Sequence, residues 1–243
     1  MSLVEHRRDW EDLAVLDPMW AVLSEPQHRF GRWSADEFFS TGAEEVARLR
    51  ERLLTLGCPD TFGSALDFGC GLGRLTRALT ACCREVIGVD ISEGMISKAR
   101  AFTPACQFLH NPYYDLRIFP SNRFDLVYTC RVLQHQRSTK LILDHVSELI
   151  RVAKPGGVVA FQIPCNVPYI HRIQPRRRAY ELLRGVGLPA QFLYRIKLTP
   201  MCMTSASVKS VTAAVEEAGG GVVSVNEDDA CPGVDSRFYY ATK

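Results

Sequence analysis

Residues 64–73 read SALDFGCGLG: an apolar run of strand length that ends in three alternating glycines. No other stretch restricts the fold as much. Glycines let the backbone turn sharply and approach a ligand without Cβ atoms in the way, and a strand, a glycine turn and a helix in that order open a βαβ unit. A helix-forming stretch at 74–83 follows, and the alternation then repeats. Strands are expected at 85–90, 106–109, 124–129 and 158–163. Helices are expected from Ser92 to about 102 and over 138–152, the second stopped by Lys154-Pro-Gly-Gly157. Short apolar strands alternating with helices imply a parallel sheet covered on both faces. Right-handed crossovers make it a doubly wound, Rossmann-like α/β sheet. A helix over 204–218 and strands at 222–225 and 236–242, joined through an acidic loop (Glu227, Asp228, Asp229), bring the sheet to seven strands, mostly parallel, closed by one antiparallel member.

The flanks divide the chain. Residues 1–59 form an N-terminal helical extension, with a short helix at 9–16 stopped by Asp17-Pro18 and a capping box at Ser34 and Glu37. Residues 60–163 are the nucleotide-type core, 164–203 an insertion after the fifth strand, and 204–243 the helix and strand pair that complete the sheet. Net charge is only +2, yet 164–203 carries +6 and the remainder −4. A basic segment in a near-neutral chain points to a local anionic partner and away from general nucleic-acid coating. The charged start of the chain is not a signal peptide, and no apolar run is long enough to span a bilayer. Nine cysteines without a Cys-x-x-Cys pair then read as reduced thiols of a cytoplasmic protein, with Cys82-Cys83 packed on a helix and no metal site.

Asp90 ends the second strand, where a ribose diol is held in folds of this kind. A dinucleotide loop requires its third glycine at position 74, which is Arg74, and Asp67 before the loop would repel a pyrophosphate but suit an ammonium group. A nicotinamide oxidoreductase is therefore disfavoured. The pattern Asp67-Phe-Gly69-Cys-Gly71-Leu-Gly73 resembles the first motif of the class I S-adenosylmethionine-dependent methyltransferases. The resemblance continues through 88–92 (GVDIS), 124–128 (FDLVY) and 149–157 (LIRVAKPGG), and covers roughly residues 60–163 in order and spacing.

The resemblance implies S-adenosylmethionine as cofactor and assigns roles. Asp67, Gly69, Cys70 and Gly71 face its methionine part. Asp90 takes the ribose hydroxyls and Ile91 packs on the adenine. Asn111, where the family usually has Asp, meets the adenine amino group, with Pro112 in the same turn. The run Asn111-Pro-Tyr-Tyr114 spells almost like an amide-gripping motif of other methyltransferases, but it follows the third strand, not the fourth, and so lines the adenine pocket. Cys130 flanks the sulfonium. His135, beyond the fourth strand, is the candidate general base, because His titrates near working pH; a satisfied structural histidine is the alternative. His171 and Arg176 in the insertion, with Tyr113, are expected to contact substrate, while His110 points into the sheet layer and His145 to the surface. The expected activity is O-methylation of a small-molecule or saccharide hydroxyl, with an anionic acceptor suited to the arginines. N-methylation, RNA methylation and a non-catalytic cofactor-binding protein are the alternatives.

Overall fold

A computed structural model describes residues 3–228 and 233–243. Met1, Ser2 and the Asp229 end of the acidic loop lie outside the described residues. The elements run α1 (Leu3–Leu16), α2 (Pro18–Val22), α3 (Ala35–Thr55), β1 (Phe62–Phe68), α4 (Arg74–Leu79), β2 (Cys83–Asp90), α5 (Glu93–Phe102), β3 (Gln107–His110), β4 (Phe124–Thr129), α6 (Thr139–Val152), β5 (Ala153–Asn166), α7 (Tyr169–Ile173), α8 (Pro175–Gly185), α9 (Ala190–Arg195), α10 (Val208–Glu217), β6 (Gly221–Asp228) and β7 (Asp235–Thr242). The seven strands form one sheet in the order β3-β2-β1-β4-β5-β7-β6. The first five are parallel, and β7 runs antiparallel to both of its neighbours.

Alternation along each strand decides the layers. Leu66, Val127, Val159 and Phe161 face a core shared with Ile142, Val146 and Leu149 of α6 and Val211 and Val215 of α10. Their neighbours Ala65, Leu126, Tyr128, Val158 and Ala160 face the opposite core, with Val46, Leu49 and Leu53 of α3 and Leu75 and Leu79 of α4. Both faces are thus covered, as the apolar strands require.

Several local readings need correction. Helix α4 ends at Leu79, short of 83; Cys83 already opens β2, and Cys82 and Cys83 pack into the α3/α4 core. The residues meant to stop α6 also begin β5, which a register shift between Phe124 and Leu126 absorbs. Ser34 does cap α3, accepting from Glu37 N at 3.2 Å, but the Glu37 carboxylate turns to His28, so the box is only half made. The insertion is three short helices, α7 to α9.

The N-terminal segment lies against the core. Glu11 of α1 accepts from Glu93 N and Gly94 N, the free amides at the start of α5, at 2.6 and 3.1 Å. A carboxylate is well placed at that end of a helix. Trp20, Trp33, Phe38 and Phe39 share one apolar cluster with Leu72 and Met95 of the core and with Tyr194 of the insertion. Asp17 accepts from the Tyr194 hydroxyl at 2.6 Å and from Phe30 N and Gly31 N. All eight described cysteines are free thiols, and among the described residues no helix is long and apolar enough to cross a membrane.

Candidate active site

The strand order reverses direction between β1 and β4, and ligands of open α/β sheets bind outside the carboxyl ends of the strands at that point. A cleft of about 780 Å³, counted out to its mouth, opens there. Its floor is the glycine loop. Gly69 N and Cys70 N both donate to Val89 O, and Gly71 N donates to Asp90 Oδ2 at 2.9 Å, so the loop is tied to the end of β2. Gly69 and Gly71 sit at φ 76° and 53°. A Cβ on Gly69 would lie 2.4 Å from Val132, and one on Gly71 2.5 Å from Val22 Cγ2. Only glycine permits both the turn and the close packing.

Asp90 stands on the cleft wall with Oδ1 accepting from Ser92 N at 2.9 Å. Burial raises its carboxyl pKa, against the backbone hydrogen bonds. Ile91, Asn111 and Tyr113 continue the wall. The Asn111 amide braces its own loop, with Nδ2 donating to Asp115 O at 2.9 Å. Three expected members are elsewhere. The Asp67 side chain is 1% exposed, lies behind the loop and accepts from Thr76 Oγ1 at 2.6 Å; burial pushes its carboxyl up to about 7. Cys70 turns into a small cluster with Ile96, Ala99 and Phe108. Pro112 is not part of the lining.

At the other end of the cleft are Cys130, Arg131, Val132, His135 and Gln136. Burial pushes the Cys130 thiol pKa up, so it stays protonated. Arg131 reaches Glu45 at 3.1 Å, beside the Arg74–Glu45 pair at 2.8 Å, and Tyr128 donates its hydroxyl to the same carboxylate. His135 is 8% exposed and burial lowers its pKa. Its Nδ1 lies 2.8 Å from Cys202 O. A carbonyl only accepts, so Nδ1 carries the proton and Nε2 keeps a lone pair, facing the Gln134 amide nitrogen at 3.3 Å. The Cys202 thiol donates back to His135 O, at 2.8 Å.

The N-terminal segment supplies the roof, with His6, Trp10, Ala21 and Val22. The Trp10 and His135 rings meet edge to face with centroids 5.4 Å apart. His6 lies 6.1 Å from the Tyr114 ring, and burial, then Arg137, push its pKa down to about 3. His145, expected at the surface, is buried in the wall with Nδ1 on Leu141 O at 2.6 Å. His110, expected in the sheet layer, is half-exposed and bonds Ile91 O and Glu93.

His171 and Arg176 are exposed and away from the cleft, so the structure does not bring them to the site. The arginine triplet of α8 divides instead: Arg176 and Arg178 are exposed, whereas Arg177 turns inward to Glu181 at 2.8 Å. The arginine beside the site is Arg137, paired with Asp9 at 2.8 Å. Sequence reasoning passed over it, along with His6. The partners of this cluster lie more than a hundred residues apart, and no local spacing joins them.

The chemistry of the donor set fits an adenosine cofactor. The loop has no Cβ at its two closest approaches, and a carboxylate ends β2 beside it. The fold and the site define a class I S-adenosylmethionine-dependent methyltransferase domain, and residues 66–161 match the family described as a methyltransferase domain. S-adenosylmethionine is the cofactor of this domain class. The chain is 33% identical over 152 residues to trans-aconitate 2-methyltransferase of Enterobacter sp. (strain 638), a match that covers 61% of this chain and 58% of that one. It is 37% identical over 118 residues to malonyl-[acyl-carrier protein] O-methyltransferase of Salmonella typhimurium, covering 48% and 45%. The chain thus spans about half the length of these curated relatives. The crystal structure of magnesium protoporphyrin IX methyltransferase from Synechocystis PCC 6803 with bound S-adenosylhomocysteine matches over 100% of both chains, with a TM-score of 0.64 at 16% identity, a likeness of fold alone.

Proposed function

We propose that the chain transfers a methyl group from S-adenosylmethionine to an oxygen of a small anionic acceptor. The observation that carries this reading is the continuity of one cleft from the glycine loop and Asp90 to His135 and Cys130. Asp90 would hold the ribose diol, Ile91 and Asn111 the adenine, and the Gly69–Gly71 backbone with Cys130 the methionine end. The cofactor supplies a methyl already activated on a sulfonium, so the protein's task is alignment and exclusion of water. Burial lowers the His135 pKa, and its Nε2 lone pair faces the Gln134 amide. That atom takes the proton when the acceptor is a hydroxyl, once Gln134 gives way. A carboxylate acceptor is already ionised and needs no base.

The anionic acceptor rests on the buried arginine beside the cleft and on two relatives whose names specify aconitate and a malonyl group, both carboxylic acids. No relative cited here is named for a saccharide. Methylation of a planar base or amide nitrogen lacks its motif at the end of β4, where the chain reads Cys130-Arg-Val-Leu. The test is calorimetric titration with S-adenosylhomocysteine, followed by transfer of labelled methyl to trans-aconitate, a malonyl thioester, monosaccharides and tRNA. Cofactor-product binding and a base-labile methyl ester are expected. An absence of binding, or label recovered only on sugar or RNA, overturns the reading. His135→Gln should abolish transfer to a hydroxyl and spare transfer to a carboxylate.

A further inference from the structure

We propose that Arg137 anchors a carboxylate of the acceptor in a side chamber behind His135, so that the acceptor carries an acid group distant from the oxygen that is methylated. The proposal rests on the methyltransferase reading above and adds a residue and a substrate class to it. The chamber measures about 230 Å³ counted out through its open mouth and shares His6, Trp10 and His135 with the main cleft, so the two adjoin across those rings.

The Arg137 side chain is 10% exposed. Its Nη2 donates to Asp9 Oδ2 at 2.8 Å, but Nε and Nη1 have no hydrogen-bond partner, and Glu181 Oε1 stands 3.8 Å from Nη1. A guanidinium offers five donors in a planar fork that matches a carboxylate. Donors left unmet in a buried site cost stability, and a bound group, ion or water relieves that cost. Asp9 engages Nη2 alone, and burial raises its carboxyl pKa to about 6. The neighbouring imidazole of His6, kept neutral, neither repels the guanidinium nor cancels an incoming anion. The chamber wall is rigid: Cys202 Sγ donates to His135 O and Thr204 N donates to Gln134 O, each at 2.8 Å, which staples the end of the insertion to the turn before Arg137. A bound acid would thus meet a fixed fork on one side and the Trp10 ring along its carbon chain.

The experiment is calorimetry on the full chain, with and without S-adenosylhomocysteine, using glutarate and tricarballylate as acid probes and dimethyl glutarate as the neutral control. The acids are expected to bind and the ester not. Arg137→Met should weaken acid binding at least tenfold and leave S-adenosylhomocysteine affinity unchanged. Asp9→Asn, which keeps the shape and releases the guanidinium, should strengthen acid binding. Equal acid affinity in Arg137→Met, or no acid binding to the native chain, overturns the proposal. If Arg137→Met does not fold, the Asp9→Asn arm decides, and unchanged or weaker affinity there overturns it. Arg137-dependent acid binding without any affinity for S-adenosylhomocysteine would sink the methyltransferase reading and leave the acid site standing.

Discussion

Replacing Gly71 by Ala tests how the N-terminal segment is fitted to the glycine loop. Two costs arise. At φ 53° a side chain enters the left-handed region, which costs about 1–2 kcal/mol for a residue with a Cβ. The new Cβ would also stand 2.5 Å from Val22 Cγ2, while the next atoms are 3.8 Å away. Close to an ångström must therefore be found, and the obstacle is a single methyl at the end of α2. Overpacking of this kind costs about 1–3 kcal/mol. Together Gly71→Ala should destabilise by about 2–5 kcal/mol, and because Gly71 N holds Asp90 Oδ2 it should also weaken S-adenosylhomocysteine binding. Val22→Ala removes the obstacle and alone should cost about 1 kcal/mol, from two part-buried methyls. The double variant should recover the steric part, so urea unfolding at constant m-value should give a coupling of about 1–3 kcal/mol. If the two single effects simply add within about 0.5 kcal/mol, Val22 is not what the loop packs against, and the roof described here is wrong.

Three further outcomes can be checked. Burial works to raise the Glu45 carboxyl, but Arg74 and Arg131 outweigh it and hold the pKa down at about 2, against 4.5. The difference corresponds to about 3 kcal/mol. A folded pKa below the unfolded one means that this stability is present above pH 4.5 and lost as the pH falls toward 2. Glu45→Gln should therefore cost about 3 kcal/mol at neutral pH and flatten the acid limb of a urea-midpoint profile. Asp90→Ala should weaken S-adenosylhomocysteine at least tenfold in calorimetry, a charged hydrogen bond being worth about 1.5–3 kcal/mol; unchanged affinity removes the ribose assignment. Arg176→Glu should leave the acceptor Michaelis constant unaltered, whereas Arg177→Glu, set against Glu181, should lower the unfolding temperature.

What the sequence reveals and what it hides follow from the range of the interactions. The strands were legible because apolar runs and glycine turns are local signals, and the glycine loop and Asp90 are read from one βαβ unit. Boundaries failed where a strand starts earlier than its apolar run, as at Cys83 and Lys154. The basic run at 176–178 misled because density of charge along the chain says nothing about which way a helix faces: Tyr180 and Arg184 turn α8 inward onto Asp12, and Arg176 is left in solvent. The roof was illegible for the same reason. His6, Trp10 and Val22 meet Tyr114, His135 and Gly71 only after the chain has folded back on itself.

The fit of Val22 over Gly71 has a kinetic side. Val22 and Trp10 stand in the roof of the cleft, so any widening of that roof for departure of the demethylated product moves the first two helices. The first of them also bounds the chamber where an acid is to dock. Redesigning them for a new acceptor would therefore also change how long each spent molecule lingers, and selectivity and turnover would shift together.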